Sequence, residues 1–569
     1  REGLAALRSA ALRLVPSPVA RTTPRRLLIA PQDLCTSDPT VASDIYAGYF
    51  VFEGRGLSTG GRSPFSFPPP SPAWGEAFYG FGWLRHLRAA DTALARANAK
   101  ALVGDFLAKR RGHHRIARHT PVVARRLLSF LSHSPLLLDG ADHELYQRFV
   151  RGVGAGVRDL ERDLRGGGRP LWRLIAVVAL CQASLCCEGL EGRLRRATRL
   201  LAEELERQIL ADGGHASRNP HAMIDLLLDL LPLRQSYASR GFDPPEALLR
   251  AIDRMLPMLR LFRHGDGALA HFNGMGVTAV DRLATILAYD EGRGQPMRHA
   301  PRSGYERLEA GRTVLIADVG RAPPTRQSGA AHAGCLSFEL SSGLQRIVIN
   351  CGAPRPPAEE ALGAARSTAA HSTAVVADQS SARFLSGQGS WPDRLVAAWL
   401  MRRLGAVMIR GPEAVAAERP DASSLTARHD GYRERFGVIH ERRWRLAPDG
   451  ARLDGEDLLS RDGTQSEDVA VTIRFHLMPG VRANRMQGGQ GVMLVLPNRE
   501  AWRFETNLLD LRVEESVFFA SPNGMRRTDQ IVLGATLARS MPLHWSFERL
   551  PEQGPNAQVK RSGDQAELL

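Results

Sequence analysis

At 569 residues and 62.3 kDa the chain exceeds what one ordinary core accommodates, so two large domains are expected. Its net charge of +15 raises nucleic acid as a partner, but only Lys100, Lys109 and Lys560 are lysines, and the arginines are spread and interleaved with acids, as in GVRDLERDLRGG; no nucleic-acid surface is expected. The 43% hydrophobic and 24% charged content is that of a soluble globular protein, and the most apolar stretch, LIAVVALCQASL (174–185), is too short for a membrane span and is interrupted by Gln182, so it reads as a buried helix.

In chain order, residues 1–75 read as a lead-in. The opening REGLAALRSAALRLVPSPVARTTPRR has arginines breaking every apolar run and so lacks a secretory h-region. SPFSFPPPSPAWGEAFYGFGWL (63–84) is expected to run extended and to pack its rings on the first helices. Residues 76–300 form a helical domain. Leu145, Phe149, Val153, Val157, Leu160 and Leu164 follow a three/four rhythm, as do Leu190, Leu194, Ala197, Leu201 and Leu205, and then Leu249, Ile252, Leu256 and Leu259. Helix follows helix, so a bundle or a ring of helical hairpins is needed to bury the apolar faces. The six cysteines show no CxxC pair, and three lie in one apolar helix as buried thiols.

Over 301–550 the period changes to two. GRTVLIADVG, CLSFEL, LQRIVIN, STAVVAD, VAVTIRFHLMP, GVMLVL and AWRFET are short strands between Gly, Asn, Asp and Pro turns, the pattern of an antiparallel β-sandwich. In AHAGCLSFELSSG (331–343), Leu336, Phe338 and Leu340 make an apolar face opposite Cys335, Ser337 and Glu339, and His332 stands just before the strand. His440 and His476 read as satisfied sheet residues. Trp391, Trp399, Trp444, Trp502 and Trp545 either line a sugar surface or fill the sandwich core. The polar tail 551–569 is expected to be disordered. No P-loop, Rossmann, HExxH, GxSxG or zinc-finger spacing occurs.

The β half resembles the heparinase II/III-like polysaccharide lyases through HAGCLSFELSSGLQRIVINCGAP (332–354), RSTAAHSTAVVAD (366–378), HDGYRERFGVIHERRWRL (429–446) and RFHLMP (474–479). In that family the first stretch is a His-x-His-x-Asp leading into an LSFEL strand, and the second contains an AHN turn. The helical half is similar to the family's incomplete α/α toroid, with GFGWLRHLRAA (80–90) and DGGHASRNP (212–220) as the local matches. The resemblance implies an incomplete α/α toroid followed by an antiparallel β-sandwich. It also implies cleavage of an acidic polysaccharide by β-elimination in a cleft between the two. That chemistry needs a uronate carboxylate neutralised, a base for the C5 proton and an acid for the leaving oxygen.

Carried over residue by residue, Asn219 matches the neutralising amide, with Arg218 beside it able to clamp a carboxylate; alternatively Asn219-Pro220 only starts a helix. His215 and His221 flank this position. The loop that carries the family's catalytic tyrosine is RHGDGALAHFNGMG (263–276), which has none. His264, His271 and Asn273 are its polar groups, and His271 is the expected base. The first motif histidine aligns with Ala330 and the motif Asp with Gly334. The ligands of the zinc found in some relatives align with His332, Asn350 and His371, where an amide replaces a carboxylate; alternatively the two histidines hydrogen-bond across strands. The expectation is a lyase acting on a uronic-acid polymer, with no required cofactor and a structural zinc as an option. The alternative is a non-catalytic glycan-binding or scaffolding protein that keeps the fold. The resemblance places the protein in the cell envelope or periplasm, while the missing h-region leaves the cytoplasm as the alternative.

Overall fold

A computed structural model describes residues 23–109, 112–166, 169–290, 294–355, 359–385, 391–461, 468–537 and 540–551. The tail from 552 onward and the opening stretch to residue 22 lie outside them. The described lead-in is not simply extended. It holds a helix, Thr40–Tyr46, and a hairpin pairing Tyr49–Phe52 with Arg55–Ser58. The Pro- and aromatic-rich stretch packs its rings as expected, Phe65 at 5.0 Å and Trp74 at 4.8 Å from Phe78. It turns helical at Pro72–Tyr79 because the Ser71 hydroxyl accepts from Trp74 N–H and Pro72 suits the first turn, which the proline count alone concealed.

The toroid is built from alternating inner and outer helices. Thr120–Ser132, Pro170–Cys186, Pro220–Ser239 and Val280–Ala288 lie side by side inside, and His143–Arg165, Leu194–Gln208 and Glu246–Leu261 back them. The amphipathic outer helix His143–Arg165 buries Phe149, Val153, Val157 and Leu160, and Asp142 caps it by accepting from Leu145 N–H at 2.7 Å, worth about 1 kcal/mol. Pro170–Cys186 is covered from both sides, so every residue from Leu174 to Cys186 is buried, including the free thiols of Cys181 and Cys186. No helix among the described residues is long and apolar enough to cross a membrane.

The β half has, besides a two-stranded pairing of Arg383–Phe384 with Met408–Arg410, two large antiparallel sheets. One has eight strands, in the order Val415–Glu418, Ser424–Tyr432, Val438–Leu446, Arg452–Arg461, Met541–Arg549, Ala501–Thr506, Gly491–Val495, Arg482–Arg485. The other runs Asp510–Phe518, Arg526–Leu537, Val469–Leu477, Gln345–Ile349, Phe338–Ser342, Thr313–Asp318, Tyr305–Ala310, His299–Ala300, with Ala374–Val376 also paired to Val469–Leu477. The apolar face of LSFEL enters the core between the sheets, where Phe338 stacks on Trp545 at 5.4 Å and Phe475 meets Trp545 at 4.9 Å. Trp444 and Trp502 are core residues as well. One ionic group is buried among the rings: Asp457 accepts from Arg442 Nε at 2.6 Å, His440 Nε2 at 2.6 Å and Trp545 Nε1 at 2.8 Å. Trp399 lies on a helix, Trp391–Leu404, that the strand-only reading of this half did not anticipate, and it is exposed.

Candidate active site

Three polar segments meet where the toroid rests on the longer sheet: the 212–220 loop before helix Pro220–Ser239, the 263–276 loop after helix Glu246–Leu261, and the turns around 303–305, 318–320, 330–339 and 350–373. The Asp212 carboxylate ties the first to the sheet by accepting from the N–H groups of Arg302 (2.8 Å) and Ser303 (2.7 Å).

Arg218 sits in the left-handed region (φ 61°) and is buried. Its Nε donates to Ser303 O at 2.7 Å, Nη1 to the carbonyls of Gly320 (3.2 Å) and Arg321 (3.1 Å), and Nη2 to Gly304 O (3.0 Å) and Asp318 Oδ1 (2.5 Å). Each of the five guanidinium N–H groups has an acceptor in the chain, and the group lies 4.7 Å over the Tyr305 ring. The expectation that Arg218 clamps a substrate carboxylate is therefore corrected: its donors bind the two domains together. Burial works against the charged form, but Asp318 outweighs it and raises the guanidinium above its ordinary value.

Asn273 (φ 45°) is equally committed. Its Nδ2 donates to Tyr305 Oη at 2.8 Å and Asp318 Oδ2 at 3.0 Å, and its Oδ1 accepts the His332 N–H at 3.1 Å. Tyr305 Oη donates in turn to Arg218 O at 2.6 Å, and burial pushes its phenol up, away from the base form.

The polar face of LSFEL turns out to be a second hub. Glu339 Oε1 accepts from the backbone N–H groups of His271 (2.9 Å) and Asn350 (3.0 Å) and lies 3.2 Å from His271 Nδ1, while Oε2 lies 3.1 Å from His264 Nε2. Arg346 reaches 3.7 Å from Oε2 and pairs with Asp266 at 2.9 Å. Burial would raise the Glu339 carboxyl, but the His271 and His264 contacts hold it well below the usual range. His264 also meets Ser341 Oγ at 2.8 Å, and burial lowers its imidazole to about 4. His271, the expected base, is almost sealed, with Phe518 edge-on at 5.2 Å and a Cβ built on Gly352 only 3.2 Å from its ring.

His215 lies apart, inside the toroid, with Nδ1 2.7 Å from Ser217 Oγ and Nε2 3.3 Å from Gln208 Oε1; burial lowers it to about 4. Asn219 does what an Asn-Pro pair does at a helix start, its Oδ1 accepting the His221 N–H at 2.9 Å. It is half-buried, and no hydrogen bond from its Nδ2 occurs among the described residues.

The zinc set can be tested against the residues present. His371 Nδ1 donates to Ser367 O at 2.7 Å, which leaves its Nε2 as the acceptor for His332 Nδ1–H at 3.1 Å and gives His332 Nε2 a bare lone pair with no partner. Burial lowers His371 to about 4 and His332 well below its ordinary value, so both are neutral. Asn350 Oδ1 accepts the Ser372 N–H at 3.0 Å, and its Nδ2, a donor, is unpartnered. Among the described residues no three His, Cys, Asp or Glu side chains gather to hold a metal. Two imidazoles bonded to each other and an amide already in use do not fit a zinc ion.

The positions that the resemblance aligns with the motif histidine and aspartate, Ala330 and Gly334, are closely packed. A Cβ built on Gly334 would lie 2.6 Å from His371 Cδ2, so the ring occupies the space of an aspartate side chain. Gly274 (φ 84°) brings the 263–276 loop onto Ala330, to within 2.8 Å of its Cβ from an added Cβ and 2.6 Å of its carbonyl. The sequence reading thus brought Arg218, Asn273, His332, His371, His271 and Asn350 to one interface, and it missed Glu339, Asp318, Tyr305 and Arg346. Its own alternation had put Glu339 on the polar face of a strand that the toroid covers.

Residues 292–555 match the family model described as heparinase II/III-like, C-terminal. The chain is 31% identical over 527 residues to FtsZ-localized protein C of Caulobacter vibrioides (strain NA1000 / CB15N), covering 90% of this chain and 88% of that one. The chain belongs to the heparinase II/III-like family. Its fold is that of heparinase III (TM-score 0.70, 12% identity, 97% of this chain and 90% of that one) and of a mutant of the heparan sulfate lyase HepC from Pedobacter heparinus (TM-score 0.62, 13% identity, 97% and 89%). At such identities the likeness is one of fold.

Proposed function

We propose that this chain is a non-catalytic member of the family, using the toroid and sandwich as a rigid scaffold, and that it works where FtsZ assembles. The observation that carries the reading is the closure of the motif positions: Gly274 against Ala330, and Gly334 against the His371 ring. An elimination site must leave donors and a base free for a uronate, and here the Arg218 and Asn273 groups are spent on the chain itself. The relative that matches across nine-tenths of the chain is named for localisation with FtsZ, which supports the choice of partner. Pelleting with FtsZ polymers tests it: co-sedimentation that depends on polymerised FtsZ is expected, and equal recovery with and without polymer would count against it.

The lyase reading has two observations in its favour. His271 is oriented through Nδ1 by Glu339, as a base would be, and Asn219 has amide hydrogens to spare. On that reading Asn219 neutralises the carboxylate of an acidic polysaccharide, His271 takes the proton, and both His271→Ala and Asn219→Ala abolish turnover.

A further inference from the structure

A cavity of about 840 Å³ opens between helix Ala93–Ala108, the inner helix Thr120–Ser132 and the outer helix His143–Arg165. It falls in the size range of ligand pockets and shares no lining residue with the interdomain cluster. The outer helix makes the room. Its core face carries Phe149, Val153, Val157 and Leu160, while Gly152, Ala155 and Gly156 line the cavity with little or no side chain. A Cβ built on Gly152 would lie 2.6 Å from Leu107 Cδ2, so a larger residue there would have to displace Leu107.

The lining is strongly cationic. Lys109, Arg126, Arg148, Arg151 and Arg158 share it with a single carboxylate, Asp159, which already accepts from Arg162 Nη1 at 2.9 Å. Glu144, outside the lining, pairs with Arg148. His113 adds no charge, because burial lowers its imidazole, and its ring stacks on Phe106 at 4.3 Å.

Arg126 is the member that points to a ligand. It is half-buried, and its Nη1 and Nη2 donate only to neutral acceptors, Tyr79 O and Ala117 O, each at 3.1 Å. Its neighbour Arg125 has Asp229 at 2.6 Å, but no carboxylate pairs with Arg126 among the described residues. Burial, only partly offset by Asp159, pushes its guanidinium down to about 10. A guanidinium withdrawn from water without a counter-charge is costly, and a bound anion would supply one.

That anion has to be compact, since several cations around one cavity ask for several negative charges close together. A uronic-acid polymer carries at most one carboxylate per ring. Every phosphorus of a polyphosphate carries charge, and guanidinium forks match phosphate oxygens bidentately.

We propose that this cavity binds a compact polyphosphate, either the free anion or the tail of a nucleotide, with Arg126, Arg151 and Lys109 donating to its oxygens. The claim is independent of whether the protein meets FtsZ. The test is calorimetric titration of the full chain, without divalent cations, with sodium tripolyphosphate, ATP, adenosine and a hyaluronan tetrasaccharide. Tripolyphosphate is expected to bind, adenosine not to, and the hyaluronan fragment to bind at least about tenfold more weakly. ATP binding no tighter than tripolyphosphate assigns the site to the free anion, and tighter binding assigns it to a nucleotide; either upholds the proposal. Arg151→Glu, at an exposed position of the lining, should weaken tripolyphosphate binding by about tenfold or more. Arg195→Glu, the same charge change at an exposed position outside the lining, should leave it nearly unchanged. No binding of tripolyphosphate, equal binding of adenosine or of the hyaluronan fragment, or equal losses in the two variants would overturn the proposal.

Discussion

The interdomain cluster and the cavity lined by helices Thr120–Ser132, Pro170–Cys186 and Pro220–Ser239 are both polar, yet the cluster joins two domains through long-range hydrogen bonds while the cavity holds its ion pairs within the helical half. At the cluster, Arg218, Asn273 and Glu339 give nearly every donor and acceptor to the chain, and glycines let loops close over the motif positions. In the cavity Arg85 pairs with Asp33 and Arg125 with Asp229, and the unpartnered Asp229 Oδ2 and Gln182 Oε1 are buried, as His332 Nε2 and Asn350 Nδ2 are at the cluster. The difference teaches that polar residues of this fold can serve as the joint between its domains. What makes the cluster a joint is that donors of the helical half find their acceptors in the β half.

If the cluster is a joint, stressing it should cost stability and not turnover. The largest effect on stability is expected from acid, which acts on buried imidazoles across both domains and not at the cluster alone. His264 lies in the cluster, His215 in the helical half, and His429, His440 and His476 on strands Ser424–Tyr432, Val438–Leu446 and Val469–Leu477. His215, His264, His429, His440 and His476 are buried, and burial lowers each imidazole, His215 and His264 to about 4 and His476 to about 3. The folded state therefore refuses protons that the unfolded chain takes up below about pH 6.5. Stability is full above that pH and falls by about 1.4 kcal/mol per pH unit for each such group as pH drops toward the folded values. Urea midpoints measured from pH 7.5 to 4.5 should be level at first and then fall steeply; a flat profile would contradict the buried-neutral assignment.

Next comes Arg218→Ala, which strands Asp318 in the interface and should cost about 3–5 kcal/mol in chemical denaturation, with Arg218→Lys recovering little because a point charge cannot serve five acceptors. Gly334→Asp should cost about 1–3 kcal/mol by pressing on the His371 ring and should restore no elimination. The smallest effect is at Asn219. Asn219→Ala should lose about 1 kcal/mol of helix cap and Asn219→Ser almost nothing, by thermal denaturation.

The change of period from helix to strand made the two domains legible, and the run from Leu174 to Leu185 showed its burial in its own composition. The pairing of His332 with His371 was legible as one of two alternatives. What stayed hidden depends on partners far along the chain. Arg218 reads as a free cation until the carbonyls of Ser303, Gly304, Gly320 and Arg321 fold against it, and no local pattern announces a carbonyl acceptor. Helix Trp391–Leu404 was missed because Trp391 and Trp399 were read singly, as lining a sugar surface or filling the sandwich core, and not for the spacing of the stretch.

The most direct test of the central claim is the ultraviolet absorbance of unsaturated uronate ends, followed while the purified protein is incubated with a broad panel of uronic-acid polymers. No rise is expected on any of them. A rise that disappears in His271→Ala would contradict the account and return the interdomain cluster to the role of an active site.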